Sequence, residues 1–465
     1  MISPLESKIL DRNCEALGLS VDILMDNAGT ALADVVSKNF PEKKILIVCG
    51  PGNNGGDGLA CAGHLGKKAD VALLFPPDMI RTDAALRQLN KLKKRPVMFF
   101  ETSAEKYDVI VDCVLGIGVR PPLRNEYLDY VSEVKKFKGR VVSADVPTGF
   151  GTEDFIVPEI TVAFHDLKEG MTETNCGKII VKDIGIPEDA SHIVGPGDML
   201  RYPIPKKDSH KGENGRLLVI GGGPYIGAPA MAGMAAFRIG TDLVHVATPE
   251  ISFVPITAMT PTFIMHRLSG DALSKKDVKG LLELSEKADA VLIGPGLGTS
   301  GGTMEAVCEF VSKCAKPMVI DADGISAVSS MPFLPDNVII TPHHKEFEVF
   351  SGSAPIDPGA VTEVSQKRNV TVLLKGAEDV IAQNDKIRMN RTGTSAMTAG
   401  GTGDVLSGIV AGLLSKGMST FDAACLGAYI CGVAGEYAFF EYSYGMIATD
   451  VIDNIPNVLI DHLDG

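Results

Sequence analysis

Short apolar runs, each broken by a glycine or aspartate turn and followed by an amphipathic stretch, recur along this chain in two series. The first series comprises Lys44–Cys49, Val71–Phe75, Val97–Phe100, Val109–Asp112, Val141–Ala144, Ile160–Ala163 and Ile179–Val181, after two amphipathic helices within Ser3–Asn39. The second comprises Leu217–Ile220, Asp242–Ala247, Ala290–Ile293, Met318–Ile320, Val338–Ile340 and Thr371–Leu374, with a short meander over Asp379–Met389. Strands that alternate with helices give a mostly parallel sheet covered on both faces, so the fold class is α/β. The Pro-punctuated polar segment Arg201–Lys207 reads as the link between two domains, 1–204 and 205–465. A last long helix from Thr420, rich in Ala and Gly, is expected to lie close against the helix carrying Gly408 and Gly412.

Length and charge limit the function classes. A chain of 465 residues exceeds one ordinary core. Forty-four Lys plus Arg against 58 Asp plus Glu give a net charge of −14, which argues against non-specific nucleic-acid binding. Nine dispersed cysteines without a C-x-x-C pair indicate reduced thiols and a cytoplasmic location. Met1 to Arg12 has no apolar core of a signal peptide, and no window approaches the roughly 18 uninterrupted apolar residues of a membrane span.

The most informative stretch is Thr398-Ala399-Gly400-Gly401-Thr402-Gly403-Asp404. Glycines at 400, 401 and 403 let backbone N–H groups converge on an anion, and the apolar spacing of Val405, Leu406, Ile409, Val410 and Leu413 makes the turn open a helix. A helix N-terminus suits a phosphate. Asp404 is the anomaly, because a carboxylate beside a phosphate is repulsive unless it acts as a base on the attacking hydroxyl. The competing reading is a helix cap.

In the first half, Gly50-Pro51-Gly52-Asn53-Asn54-Gly55-Gly56-Asp57-Gly58 follows a strand and opens a helix. A dinucleotide fingerprint fits it poorly, because Asp57 would oppose a pyrophosphate. The Asn pair offers amide oxygens to a hard cation or a sugar phosphate. Strand ends at Asp112, ahead of Gly116–Gly118, and at Asp145-Val146-Pro147-Thr148-Gly149 add acids to the same sheet edge, although either alone reads as a turn residue.

These motifs, with Leu24-Met25-Asp26-Asn27-Ala28-Gly29, resemble the NAD(P)H-hydrate epimerase family over essentially all of residues 1 to 200. The resemblance implies a Rossmann-like three-layer domain with K⁺ held by Asn54, Asp112 and Thr148. It further implies a nicotinamide hydrate bound along Asn53, Asn54, Gly55, Gly56 and Asp57 and along Gly116, Ile117, Gly118, Val119 and Arg120, with Asp145 at the reacting carbon. Oxygen-only ligands suit a hard cation.

In the second half, His210-Lys211-Gly212, Gly294–Gly298, Asp321-Ala322-Asp323, Thr341-Pro342-His343 and Lys375-Gly376 lie near strand ends. Taken singly, His343 reads as a surface residue before a helix, Lys375 as a solvated terminus, and Asp321 and Asp323 as caps. Together with the Gly400–Asp404 turn they resemble the ADP/ATP-dependent NAD(P)H-hydrate dehydratase family of the ribokinase-like superfamily, over roughly residues 205 to 460. By that resemblance Ala228, Gly298, His343 and Asp404 contact the hydrate. Lys375, Gly376, Ala377, Glu378, Gly400, Gly401, Thr402 and Gly403 hold ADP or ATP with Mg²⁺, for which Glu346 is a candidate ligand. Gly240-Thr241-Asp242-Leu243 departs from the small-residue run usual in that family.

The expectation is a bifunctional repair enzyme that epimerises the R and S hydrates of NADH and NADPH and dehydrates the S form with ADP, acting as a homo-oligomer without nucleic-acid or membrane partners. Two other classes stay open. One is a kinase of a small vitamin precursor, and the other is a non-catalytic ligand-binding or scaffolding first domain.

Overall fold

The computed structural model describes residues 1–92, 97–100, 104–119, 121–354 and 357–463. Arg120 therefore lies outside the described residues. The chain divides into two compact units, Met1–Ala190 and Ser191–Gly465. This division falls ahead of the expected link at 201–207, because the preceding residues are already fastened to the second unit. Val194 N donates to Met389 O (2.8 Å), Asp198 pairs with Arg388 in the interior (2.9 Å), and Tyr202 OH donates to Ile239 O (2.9 Å).

Seven strands build the first unit: β1 (Ile45–Cys49), β2 (Ala69–Leu73), β3 (Val97–Phe99), β4 (Val109–Cys113), β5 (Arg140–Ala144), β6 (Ile160–Phe164) and β7 (Lys178–Lys182). They form one parallel sheet in the order β3-β2-β1-β4-β5-β6-β7. Strands β1 and β4 are buried along their whole length, as strands covered on both faces must be. The chain order reverses between β1 and β4, so the crevice for a ligand opens at their C-terminal ends. Helix α1 (Pro4–Ala16) starts where Ser3 Oγ accepts the Glu6 N–H (3.1 Å), and Pro4 suits its first turn. Helix α2 (Asn53–Leu65) leaves β1 through the Gly-rich loop, where a Cβ on Gly50 would lie 1.9 Å from Val114 O and one on Gly55 1.9 Å from Gly50 O. No other residue permits so tight a turn.

The second unit carries nine strands: β8 (Arg216–Ile220), β9 (Leu243–Thr248), β10 (Ile264–Arg267), β11 (Ala290–Ile293), β12 (Met318–Ile320), β13 (Val338–Ile340), β14 (Thr371–Leu374), β15 (Asp379–Gln383) and β16 (Lys386–Asn390). Their order is β10-β9-β8-β11-β12-β13-β14-β15-β16, parallel as far as β14 and antiparallel through β15 and β16. The alternation missed β10. It is a four-residue edge strand with both ends exposed, and it carries no apolar run.

The long helix from Thr420 does lie against the helix carrying Gly408 and Gly412, although those two glycines face a different neighbour. Gly408 and Gly412 of α4 (Thr402–Ser415) face α3 (Gly227–Arg238), where a Cβ on Gly408 would come within 2.2 Å of Ala232 O. The Ala-rich α5 (Thr420–Tyr442) instead meets α4 through Gly427, against Val410. Small residues on α3 (Ala232, Ala236) made the closer match. The segment Thr420–Gly445 is long and apolar enough, by length and hydropathy, to cross a membrane, but it is the mostly buried core helix of this unit.

Replacing Gly408 with Ala forces α3 and α4 apart and should destabilise the second unit by about 3 kcal/mol. Gly280→Ala, in an exposed helix with open space around it, should be neutral or stabilising by up to ~1 kcal/mol. Calorimetric melting of both variants checks the contrast.

Candidate active sites

The first unit holds a cavity of about 370 Å³ at the β1/β4 crevice. Asn53, Asn54 and Asp57 from the start of α2, Gly116–Val119 after β4 and Asp145 after β5 all line it, so the strand ends bring the expected residues together. Gly55 and Gly56 shape its floor instead. A Cβ on Gly56 would meet Met25 Sδ at 2.5 Å, which explains the coupling of the Leu24–Gly29 motif to this loop.

Asp112, fully buried, accepts hydrogen bonds from Thr148 Oγ1 (2.6 Å), Thr148 N (2.9 Å), Ser143 Oγ (2.9 Å) and Tyr130 OH (3.2 Å). Burial raises its pKa against the pull of these donors. Asn54 is 8% exposed, yet among the described residues neither its Oδ1 nor its Nδ2 has a hydrogen-bond partner. Gly116 stands beside it, close enough that a Cβ would sit 4.0 Å from Oδ1. A buried amide without partners is costly, which marks Asn54 as waiting for a ligand.

Asp145 adopts φ +60° at the end of β5, an uncommon conformation for a residue with a side chain. Its Oδ1 lies 2.7 Å from Lys168 Nζ, and Lys168 is only 3% exposed. That ammonium also donates to Phe164 O (2.6 Å) and Asp166 O (3.1 Å). Burial and the charges of Asp145 and Asp11 drive the Asp57 carboxyl well above the usual carboxylate range. Sequence reading missed Lys168 and Asp11, both of which line the cavity. Nothing in the polar turn His165-Asp166-Leu167-Lys168 distinguishes the lysine, because the signal is its burial.

In the second unit, adjacent strands β12, β13 and β14 end in Asp321, Thr341 and Lys375. Lys375 Nζ lies 3.0 Å from Asp321 Oδ1 and directly under Gly403, whose Cβ, if present, would sit 3.5 Å from it. Burial lowers the Lys375 pKa, but Asp321, Glu346 and Asp404 outweigh that effect and raise it. Helix α4 is entered through Gly401, at φ +99°, with no side-chain cap. Among the described residues, the N–H groups of Gly401, Gly403 and Asp404 have no protein acceptor. Thr402 Oγ1 is engaged with Met397 O (2.6 Å).

Asp404 sits in the first turn of α4, and its carboxylate accepts no hydrogen bond among the described residues, so the cap reading fails. Burial, then Asp321, raises its pKa to about 7 against the pull of Lys375. Gly298 N donates to Asp323 Oδ2 (2.8 Å). Gly376 N binds Asp379 (3.1 Å) and Glu378 pairs with Arg391, which fixes the Lys375–Glu378 loop. Ala228 opens α3 one turn before Met231, which touches Gly401. His343 caps the helix His344–Ser351, its Nδ1 accepting Glu346 N (3.1 Å) while Glu346 accepts His343 N (2.9 Å). The bland expectation for His343 thus describes its Nδ1, while its Nε2 lies 3.7 Å from Glu346 on a half-exposed ring. Asp242 clamps the 210–215 loop through Gly212 N (2.8 Å) and Asn214 N (3.1 Å), a structural role for the departure at that position.

Two family models match the chain: NAD(P)H-hydrate dehydratase over residues 217–457 and YjeF-related protein N-terminus over 21–170. The chain is 38% identical to the bifunctional NAD(P)H-hydrate repair enzyme of Methanothermobacter thermautotrophicus, over 99% of this chain and 95% of that protein. It is 38% identical to that of Archaeoglobus fulgidus, over 99% and 98%. The chain belongs to the bifunctional NAD(P)H-hydrate repair enzyme family. Among solved structures, the ADP/ATP-dependent NAD(P)H-hydrate dehydratase of Bacillus subtilis, co-crystallised with ATP and Mg²⁺, superposes with a TM-score of 0.52. That match has 26% identity and covers 58% of this chain and 99% of that one. Both family models fall on the units described above, so each of this family member's two sheets carries one cluster of strand-end acids.

The Asp404 shift gives a stability signature. The unfolded chain releases this proton near pH 3.9 and the folded chain near 7, so between them the native state binds more protons and stability falls as pH rises. Asp404→Asn removes that loss. The ligand-free variant should melt above wild type at pH 8 by on the order of 1 kcal/mol, with little difference at pH 4.

Proposed function

We propose that this chain repairs hydrated NADH and NADPH in two steps, epimerisation in the first unit and nucleotide-dependent dehydration in the second. The observation that carries the second step is Asp404, in the first turn of α4 with no hydrogen bond to its carboxylate among the described residues, within reach of the charge of Lys375 and with its pKa raised to about 7. A base so poised suits removal of a hydroxyl proton.

Hydroxide leaves the C6 carbon of a nicotinamide hydrate poorly. Asp404 takes the hydroxyl proton as that oxygen attacks the terminal phosphorus of ADP, or of ATP, and the phosphoanhydride bond breaks with AMP, or ADP, leaving with its electron pair. Lys375 and the amides of Gly401 and Gly403 hold the charge that develops on the phosphate oxygens. The phosphorylated oxygen then departs with its electron pair, pushed by the ring nitrogen, and loss of a ring proton restores the dihydronicotinamide. Ala228, Gly298 and His343 are assigned to the hydrate, and Lys375–Glu378 with Gly400–Gly403 to the nucleotide. Mg²⁺ suits the carboxylate-rich surroundings, with Glu346 as candidate ligand, and supplies neutralisation of the nucleotide phosphates.

In the first unit Asp145 acts at C6, while Asn53–Asp57 and Gly116–Arg120 hold the hydrate. The Asn54 amide, without a partner among the described residues, and the buried Asp112–Thr148 pair support an oxygen-ligated cation, assigned as K⁺, which would supply a fixed positive charge. A cytoplasmic location, a homo-oligomer and small-molecule partners without nucleic acid or membrane complete the reading. A vitamin-precursor kinase is disfavoured, because both units match a hydrate-repair family.

Purified chain given both hydrate epimers with ADP or ATP should restore dihydronicotinamide absorbance from the whole mixture. Asp404→Asn should lower that dehydration by at least ~100-fold, whereas Asp145→Asn should leave conversion of the S form intact and strand the R form. A stable phosphorylated product would instead establish the kinase reading. Exchange of K⁺ for Li⁺ should slow epimerisation and spare binding of nucleotide to the second unit.

A further inference from the structure

Epimerisation by loss and return of water needs two proton transfers at C6, one to the departing oxygen and one from the returning water. Asp145 accounts for one. Its Oδ1 is ion-paired with Lys168 (2.7 Å) and accepts Phe164 N (3.3 Å), which fixes its position at the end of β5. The partner group has to line the same cavity of about 370 Å³. Lys168 has its N–H groups engaged with Asp145, Phe164 O and Asp166 O, so it holds rather than exchanges protons. Asp57 sits on α2, in the loop assigned to hold the hydrate.

Asp11 differs in origin and in freedom. It enters the cavity from α1, and among the described residues it forms no hydrogen bond or ion pair. Its helix is fastened at the Lys168 side, because Ile2 N donates to Leu167 O (2.8 Å), Glu169 N donates to Ile2 O (3.0 Å), and the terminal ammonium of Met1 meets Asp166 (2.9 Å). The N-terminal segment thus delivers a carboxyl of its own to the chamber that Asp145 and Lys168 occupy.

We propose that Asp11 is the second acid–base residue of the epimerase, paired with Asp145 across C6 of the hydrate. The inference rests on the epimerase reading of the first unit. The C6–O bond breaks with its electron pair going to oxygen, Asp11 gives that oxygen a proton, and the ring nitrogen lone pair forms the C6=N bond. The water produced, or another from solvent, adds to the opposite face. Its oxygen forms the new C6–O bond, the C=N electrons return to nitrogen, and Asp145 takes the excess proton. Return of that proton from Asp145 to Asp11 through solvent resets the pair, and the reverse epimerisation uses them in exchanged roles.

The charge environment agrees. Desolvation and the neighbouring Asp145 push Asp11 up to about 6, and Lys168 pulls it down. Asp57 and Cys14 also face it, each raised in part by its charge, and Lys8 lines the cavity from the same helix. Asp11 is thus held above the ordinary aspartate range while its residue stays exposed to solvent.

The test uses the full-length chain with separated R and S hydrates and follows their interconversion by chromatography at several pH values, with K⁺ present and no nucleotide. Asp11→Asn should lower the epimerisation kcat by about 100-fold, change KM by less than about 3-fold, and flatten the alkaline limb of the pH profile. Asp11→Glu should recover part of the rate with a displaced limb. Nucleotide-dependent conversion of pure S hydrate should be unchanged in both, which shows that the second unit is folded, and the near-unchanged KM for epimerisation shows the same of the first. Asp11→Asn within 3-fold of wild type, a loss confined to KM, or an unaltered pH profile would overturn the assignment. So would loss of the alkaline limb in Asp57→Asn while Asp11→Asn keeps it. If wild type itself does not interconvert the hydrates, the epimerase reading fails rather than the choice of Asp11.

Discussion

A lysine buried against an aspartate at a strand end organises the chemistry of both units. In the first, Lys168 meets Asp145 at 2.7 Å, and in the second, Lys375 meets Asp321 at 3.0 Å. An ammonium removed from water is tolerated only with its charge matched and its protons donated, so each pair fixes the loops it joins. The two units use the pair differently. In the first, the matched carboxylate is itself the one assigned to the reacting carbon. In the second, Asp321 neutralises the lysine, while burial first and then the charge of Asp321 raise the Asp404 pKa to about 7.

The position of Asp404 depends on packing that has no polar component. Gly408 lets α4 lie directly on the Ala232 carbonyl of α3, and Gly401 turns beside Met231 of that same helix. The depth of the α3–α4 contact sets where the first turn of α4 ends, and with it the distance from Asp404 to Lys375. Interiors packed to crystal-like density transmit such constraints without slack. A structural glycine four residues of sequence, about one helical turn, from Asp404 is in this sense part of its setting.

Both sheets were legible in the sequence, because fully buried parallel strands read as unbroken apolar runs closed by glycine or acid. The Gly50–Gly58 and Gly400–Asp404 turns were legible for the same reason, since their backbone geometry demands glycine. The missed elements failed for identifiable causes. β10 is an exposed edge strand without an apolar run, and the domain division shifted because Val194, Asp198 and Tyr202 gain partners far along the chain. Lys168 stands out through its burial, and Asp11 through what its helix is fastened to. Neither property is local in sequence, so no spacing or composition rule reaches it.

The acidity of the second site has a structural origin. Asp323 holds Gly298, Glu346 holds the His343 turn, and Asp321 holds Lys375, so three carboxylates are each committed to one loop of the crevice. Their charges nevertheless act on Asp404, and each raises its affinity for a proton. The groups that give the crevice its shape are thus the groups that tune its base. Moving any of these acids elsewhere to relieve repulsion would lose a loop as well. A carboxylate among carboxylates persists here because the geometry needed to bind a nucleotide and the field needed to bring Asp404 near neutrality come from the same residues.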